Sequence, residues 1–168
     1  FSADDLVAAA CPPPAHVSEP SLRAFFRQFE LDREAHRALA DRAHARGLAF
    51  MATPFSRASV DLLEDTGVDA YKIASGDLTY TDLIAYAASA GKPMVLSTGM
   101  SRLSEIENAL SAARAGGARR IAVMHCVSAY PGTHGSENLS AISTLRHVFR
   151  VPVGLSDHGA DGAAVPIA

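Results

Sequence analysis

The sequence predicts an α/β fold of the TIM-type (β/α)8 barrel, and two patterns along the chain indicate it. From residue 48 onward, short apolar β-type runs alternate with amphipathic helical patterns, as is typical of repeated βα units around a parallel sheet. Polar side chains also follow each apolar run, as in a barrel whose βα loops share one face. A doubly wound nucleotide-binding sheet is the alternative, but the sequence has neither glycine-rich phosphate motif of that class.

Five strands are predicted, each separated from the next by enough chain for one helix and two loops. A complete barrel takes roughly 250 residues. The 168 residues of this chain therefore predict an incomplete barrel that forms a single domain over 1–168. The predicted strands are 48–52, 70–74, 93–97, 120–125 and 152–155.

Apolar stripes at helical spacing predict one helix between each pair of neighbouring strands. Two further helices are expected before the first strand, at 21–29 and 32–46. We expect Gly67 and Gly91 to end the first two inter-strand helices, and Ser101 to cap the start of the third. The four stripes comprise Val60, Leu62 and Leu63; Leu83, Ile84, Ala87 and Ala88; Leu103, Ile106 and Leu110; and Leu139, Ile142, Leu145 and Val148.

Composition argues against several classes of partner. The formal net charge is −3 and no stretch concentrates lysine or arginine on one face, so we expect neither nucleic acid nor membrane as a partner. The apolar runs are far shorter than the ~18 residues of a spanning helix, and the first residues do not resemble a signal peptide. Cys11 and Cys126 lie far apart, which favours reduced thiols over a disulfide. These features predict a cytoplasmic protein.

Lys72 stands at the end of an apolar strand, between Tyr71 and Ile73. We expect its ammonium group to be drawn into the barrel mouth and partly desolvated. A lysine placed in this way either stays charged and binds an anion, or loses its proton and forms a Schiff base with a carbonyl. The structural alternative is a strand lysine whose ammonium reaches solvent.

Hydroxyl side chains follow four consecutive predicted strands, at the same edge of the sheet. A single serine after a strand is ordinary turn chemistry. Together with a lysine, several such hydroxyls predict a cradle for a phosphate or carboxylate, because they donate hydrogen bonds to oxyanions. The residues are Ser75, Ser97, Thr98, Ser128 and Ser156.

Three titratable side chains lie at the same edge. His158 follows the last strand and is either a ligand of a divalent metal or a structural histidine. His125 lies within a strand, which favours a core histidine bonded to a backbone carbonyl. Asp77 follows Gly76 near the end of the second strand, where it acts as a general acid or base, orients a sugar hydroxyl, or caps a helix.

Five segments, in this order along about 110 residues, closely resemble the sialic acid synthases. That family includes the N-acetylneuraminate, pseudaminate and legionaminate synthases and spore-coat polysaccharide enzymes. The segments are TPFS at 53–56, KIASGDL at 72–78, LSTGM at 96–100, HCVSAYP at 125–131 and VGLSDH at 153–158.

The resemblance implies a (β/α)8 barrel that condenses phosphoenolpyruvate with an N-acetylated amino sugar, such as N-acetylmannosamine, and with water. The C3 carbon of phosphoenolpyruvate attacks the sugar aldehyde, water adds at C2, and C–O cleavage releases phosphate, giving a nonulosonic (sialic) acid. A divalent metal, Mn²⁺ or Mg²⁺, activates the aldehyde as a Lewis acid.

Carried over position by position, the resemblance implies a phosphoenolpyruvate pocket and favours the anion-binding lysine over the Schiff base. Some residues are expected to bind the phosphate and carboxylate groups, and others to line the same pocket. The expected ligands are Lys72, Ser75, Ser97 and Ser156, and the expected lining residues are Thr53 and Phe55.

Four further positions acquire roles through the resemblance. His158 is similar to one of the family's two metal-binding histidines. Asp77 stands where the family has an acidic residue, usually the longer Glu, that is implicated in catalysis or sugar handling. Ser128 occupies a position that is often Asn, and Tyr130 matches the family's Tyr. We therefore expect Asp77 and Lys72 to be catalytic. Ser128 and Tyr130 are expected to bind substrate, and His158 to bind the metal.

The resemblance also implies what lies outside 1–168: the family's first two strands, its eighth strand and a C-terminal antifreeze-like domain. About strands 3 to 7 are then present, and we expect this part alone to be inactive and the whole protein to be a homodimeric enzyme. Two alternatives stay open at this point. One is a Schiff-base aldolase that uses Lys72, and the other is a non-catalytic barrel that binds a sugar or phosphate.

Overall fold

A computed structural model describes residues 20–133 and 135–159. These residues fall into two compact units, 20–50 with 54–68 and 51–53 with 69–159. The prediction of a reduced thiol at Cys11 lies outside the described residues. None of the helices in the described ranges is both long and apolar enough to cross a bilayer.

The first unit contains three helices, α1 (Leu22–Arg27), α2 (Arg33–His44) and α3 (Arg57–Asp65). Each begins at a side chain that accepts a hydrogen bond from a backbone N–H of the first turn, which is why the chain turns into a helix there. The capping residues are Ser21, Asp32 and Ser56. The helices predicted at 21–29 and 32–46 are confirmed, with ends one to two residues shorter.

Charged side chains of α2 hold the end of α3. Arg33 forms a salt bridge with Asp65, and Arg37 donates a hydrogen bond from Nη2 to the Asp65 carbonyl oxygen at 3.0 Å. Arginines in this place also complement the partial negative charge of a helix C-terminus. Gly67 follows the C-cap Thr66 with φ +87°, so the predicted glycine stop is confirmed.

The second unit contains a five-stranded parallel sheet whose order is the order of the chain, β1-β2-β3-β4-β5. A doubly wound sheet reverses its strand order at a switch point. No reversal occurs among the described strands, so the arrangement is that of consecutive barrel units. The strands are β1 (Met51–Ala52), β2 (Ala70–Ile73), β3 (Met94–Ser97), β4 (Ile121–Cys126) and β5 (Val153–Ser156).

All five predicted strands are confirmed as elements, and their ends differ. β2 and β3 each lose one predicted residue, and β4 and β5 lie one residue further along the chain. The largest difference is β1, where residues 48–50 of the predicted strand are not extended in the sheet. The cause is local, because the Leu48 N–H donates to the Ala43 carbonyl oxygen at 3.0 Å and prolongs the turn that ends α2.

A 3-10 turn (Ser75–Asp77) and three helices, α4 (Thr81–Ala88), α5 (Leu103–Ala115) and α6 (Ser140–Phe149), connect these strands. The prediction that Ser101 caps the third inter-strand helix is wrong by one residue. Arg102 is the N-cap of α5, and its N–H donates to the Glu105 carboxylate at 2.7 Å. The Ser101 hydroxyl donates instead to the Gly99 carbonyl oxygen at 3.3 Å.

The strand register separates an apolar face from a polar one. Paired residues of neighbouring parallel strands point to the same face, and the face alternates along each strand. Ile73, Leu96 and Val123 are aligned across β2, β3 and β4 and are fully buried. The opposite face of the sheet carries the polar residues Lys72, Ser97, Cys126 and Ser156.

Candidate active site

The carboxyl ends of the strands bring hydroxyl groups from separate βα units together. Ser75 begins the 3-10 turn after β2, Ser97 is the last residue of β3, Ser128 lies two residues beyond β4, and Ser156 ends β5. Because the strands are parallel and in chain order, these ends share one edge of the sheet. The predicted cradle is therefore compatible with the fold.

Gly99 is the point where three of these chain segments meet. Its N–H donates to Ser75 Oγ at 3.0 Å. A Cβ atom built on Gly99 would lie 2.9 Å from Ser75 Oγ, 2.8 Å from Cys126 Sγ and closer still to Ser128 Oγ. The φ angle of Gly99 is not in the left-handed region. The position therefore needs glycine for space rather than for backbone conformation.

Two hydroxyls at this edge are buried and find no hydrogen-bond partner within 20–133 and 135–159. Ser97 Oγ and Ser128 Oγ have no hydrogen bond to the described residues, and Ser97 is only 1% exposed. A buried hydroxyl without a partner costs about 1–3 kcal/mol. Two such groups on neighbouring strand ends are therefore suited to donate to an oxyanion from outside the chain. This is the strongest structural support for the predicted anion cradle.

The other residues predicted for the pocket differ in what the structure shows. Lys72 is half-buried on the same face of the sheet as Ser97, and Thr53 is partly buried after β1. The Thr98 hydroxyl donates to the Met124 carbonyl oxygen at 3.0 Å, so its proton is committed to joining β3 to β4. Phe55 belongs to the first unit and is 41% exposed.

His158 is held by two neighbours and keeps one ring nitrogen unused. Its Nε2 lies 3.2 Å from Ser156 Oγ, and the Tyr130 ring stacks on the imidazole with centroids 4.3 Å apart. Its Nδ1 is buried and has no hydrogen-bond partner among the described residues. The Asp157 carboxylate accepts from the Gly159 N–H at 2.8 Å and closes the turn that follows β5.

A metal ion fits this histidine as a single donor. An imidazole nitrogen that makes no hydrogen bond is a suitable ligand for a borderline divalent ion. Within 20–133 and 135–159, no group of three or more His, Cys, Asp or Glu side chains is arranged to hold a metal. The described residues thus supply at most part of a metal site, and the role predicted for His158 stays a prediction.

Asp77 lies in the 3-10 turn after β2, partly buried, and makes no cap to α4, whose N-cap is Tyr80. The helix-cap alternative for this aspartate therefore finds no support. Burial raises the pKa of the Asp77 carboxyl above its ordinary value. A carboxyl with a raised pKa keeps its proton over a wider pH range, which suits a general acid.

This shift predicts a pH dependence for the variant Asp77→Asn. The native carboxyl has a higher pKa than the unfolded one, so stability falls as the pH rises above the unfolded pKa, and the loss is complete once the pH exceeds the native pKa. We expect Asp77→Asn to raise the Tm at pH 7, with a gain that vanishes below about pH 4. Thermal unfolding at several pH values measures the gain.

Asp82→Asn, on the exposed side of α4, is the control for removal of a negative charge. A gain in Tm that does not depend on pH would contradict the account.

Two predictions about β4 are confirmed. His125 is 9% exposed, and its Nε2 bonds the Glu137 carbonyl oxygen at 2.7 Å, as expected of a core histidine. Cys126 is a free, buried thiol. The contact of its Sγ with Ser75 Oγ, at 3.0 Å, was not predicted. Gly99 and Cys126 lie inside the segments at 96–100 and 125–131, but only the strand pairing shows that they converge.

Comparison with known proteins agrees with this picture. The family model described as the NeuB family matches residues 1–168. An uncharacterized protein of Methanocaldococcus jannaschii is 44% identical over 79% of this chain and 40% of its own length. N,N'-diacetyllegionaminic acid synthase of Campylobacter jejuni is 40% identical over 84% of this chain and 43% of its own length. This chain thus spans about two fifths of these relatives.

The crystal structure of N-acetylneuraminic acid (sialic acid) synthetase from Leptospira borgpetersenii superposes with a TM-score of 0.82 and 32% identity, covering 86% of this chain and 50% of that one. The strand order, the serine-lined edge and the family match over residues 1–168 agree with the resemblance of the five sequence segments. The chain belongs to the NeuB family.

Proposed function

We propose that the protein carrying this chain condenses phosphoenolpyruvate with an N-acetylated amino sugar and water, giving a nonulosonic acid and phosphate. The observation that carries the proposal is the pair of buried hydroxyls of Ser97 and Ser128 at the carboxyl edge of the sheet, neither of which has a hydrogen-bond partner in the described part of the chain. Relatives named as synthases of legionaminic and N-acetylneuraminic acid support the class of product.

In this proposal the serine edge binds the two anionic groups of phosphoenolpyruvate. The hydroxyls of Ser75, Ser97 and Ser156 donate to phosphate and carboxylate oxygens, and the charged ammonium of Lys72 offsets their negative charge. Ser128 contributes a further hydroxyl beside Gly99, and Thr53 lines the same pocket. Serine hydroxyls suit this task because they donate without adding charge.

The carbon–carbon bond then forms between C3 of phosphoenolpyruvate and the aldehyde carbon of the open-chain sugar. Asp77, whose pKa is raised by burial, donates a proton to the developing alkoxide oxygen. Water adds at C2 and gives up a proton, which restores the one that Asp77 donated, and cleavage of the C–O bond releases phosphate. Tyr130 lies next to His158 and contacts the sugar.

His158 would hold Mn²⁺ or Mg²⁺ through its buried Nδ1. The metal, when bound, supplies Lewis-acid activation of the aldehyde. Ser156 Oγ at Nε2 and the Tyr130 ring on its face fix the orientation of the imidazole, as neighbours of metal-binding histidines commonly do.

The same proposal assigns the five strands to about strands 3 to 7 of a (β/α)8 barrel. Chain-order parallel pairing supports the assignment. Within the described residues β1 and β5 each pair on one side only, and a closed barrel pairs both of these edges.

Phosphate release from phosphoenolpyruvate by the full-length protein tests the function. We expect release with at least one N-acetylated amino sugar from a panel that includes N-acetylmannosamine, only with Mn²⁺ or Mg²⁺ present, and loss of at least about 100-fold in His158→Ala. His147→Ala removes an exposed histidine of α6 and is the matched control.

Two outcomes overturn the proposal. Trapping of Lys72 by borohydride with a carbonyl substrate, without a metal requirement, indicates a Schiff-base aldolase. Binding of sugar or phosphate by a folded protein that turns over no sugar of the panel indicates a binding module.

A further inference from the structure

The Cys126 thiol has no part in the mechanism above, yet it lies against the anion cradle. It is the last residue of β4 and is 6% exposed. Its Sγ is 3.0 Å from Ser75 Oγ, which comes from the turn after β2. The contact therefore joins two strand ends that have β3 between them.

The hydrogen bonds of Ser75 decide what this contact does. A serine hydroxyl has one proton to donate and two lone pairs to accept with. The Gly99 N–H fills one lone pair of Ser75 Oγ at 3.0 Å. If the hydroxyl donated to Cys126 Sγ, no proton would be left for a ligand. If the thiol donates to Oγ, both lone pairs are filled and the hydroxyl proton is free.

We propose that Cys126 is a positioning residue for substrate binding: its S–H donates to Ser75 Oγ and leaves the Ser75 hydroxyl to donate to an oxyanion of phosphoenolpyruvate. The inference rests on the proposed function. Donors that act in sequence polarise one another, so the thiol also strengthens the Ser75 donor.

The surroundings of the thiol support this direction of the bond. Cys126 Sγ and Ser128 Oγ both lie within 3 Å of the position that a Cβ atom of Gly99 would take, and Ser97 is the last residue of β3, between β2 and β4. Neither Ser128 Oγ nor Ser97 Oγ has a hydrogen-bond partner among the described residues. A group of hydroxyls that can each donate a hydrogen bond is suited to bind an anion. A Ser75 hydroxyl committed to sulfur would remove one donor from this group.

Two substitutions of Cys126 separate the hydrogen bond from packing. Cys126→Ala removes the donor, and Cys126→Ser keeps one. We expect Cys126→Ala to raise the KM for phosphoenolpyruvate about 3- to 10-fold, as the loss of one hydrogen bond does, with kcat and the KM for the sugar within about twofold. Cys126→Ser is expected to restore the KM for phosphoenolpyruvate to within about twofold of the wild type.

Val123→Ala is the matched control, because Val123 is a fully buried residue of β4 on the opposite face. We expect it to lower the Tm without moving the KM. With an active wild type, three results would overturn the inference. The KM for phosphoenolpyruvate could stay unchanged in Cys126→Ala, or it could rise as much in Cys126→Ser or in Val123→Ala as it does in Cys126→Ala. A wild type that releases no phosphate shows instead that the proposed function has failed, and the inference with it.

Discussion

Replacement of Gly99 by alanine is expected to weaken phosphoenolpyruvate binding by at least about 100-fold. The added Cβ would overlap Ser128 Oγ and press on Cys126 Sγ and Ser75 Oγ. Two of these atoms belong to the end of β4 and the third to the turn after β2, so no single side chain can move to relieve all three contacts. The Gly99 N–H would also shift from Ser75 Oγ and loosen the donor that the cradle needs.

Isothermal titration of phosphoenolpyruvate into Gly99→Ala and the wild type measures this effect. Gly76→Ala is the control, because Gly76 also follows a strand at this edge, has no positive φ, and leaves a Cβ nothing to meet within 4 Å. Gly76→Ala should bind as the wild type does. Wild-type affinity in a folded Gly99→Ala variant would show that the cradle is not where substrate binds.

Replacement of Lys72 by methionine is expected to reduce kcat/KM for phosphoenolpyruvate by about 100-fold or more, because charge-assisted contacts to the substrate anion are lost. Methionine replaces the apolar stem of the half-buried side chain and lacks only its terminal ammonium group. Lys72→Arg keeps the positive charge but has no amine that can form an imine. We expect it to retain substantially more activity than Lys72→Met.

The two variants separate the chemical uses of a lysine at this place. An anion-binding lysine predicts that arginine rescues part of the activity and that borohydride does not inactivate the wild type. A Schiff-base lysine predicts equal loss in both variants and inactivation by borohydride with substrate. Steady-state kinetics with both variants and one borohydride assay decide between them. Lys92→Met controls for removal of a lysine, because Lys92 comes just before β3, at the amino end of that strand.

The alternation of apolar strands and amphipathic helices was enough to predict the sheet, because parallel βα units leave a strong periodic signal. The ends of the helices and strands were harder to predict. Leu48 reads as a strand residue by composition, but its N–H completes the turn after α2. Ser101 is a good capping residue by type, but Glu105 reaches the N–H of Arg102 and moves the helix start by one residue.

The site was partly predictable for a related reason. Ser97 and Ser128 could be placed at strand ends from the sequence, but only the fold shows that their hydroxyls are buried and have no partner among the residues that the structure describes. Thr98 has the same residue type and location, yet it bonds the Met124 carbonyl oxygen. The need for glycine at Gly99 comes from the little space that the turn after β2 and the end of β4 leave there, and no local pattern encodes that space.

Equilibrium binding of phosphoenolpyruvate to the full-length protein tests the central claim most directly, with wild type and the double variant Ser97→Ala/Ser128→Ala compared by calorimetry. Two hydroxyls that donate to a charged ligand each contribute about 1.5–3 kcal/mol. We therefore predict saturable binding that inorganic phosphate competes with, and a loss of at least about 100-fold in the double variant. Ser89→Ala removes a hydroxyl at the end of α4 and should change nothing. Equal affinity in wild type and double variant, or no binding by the wild type, would contradict the account.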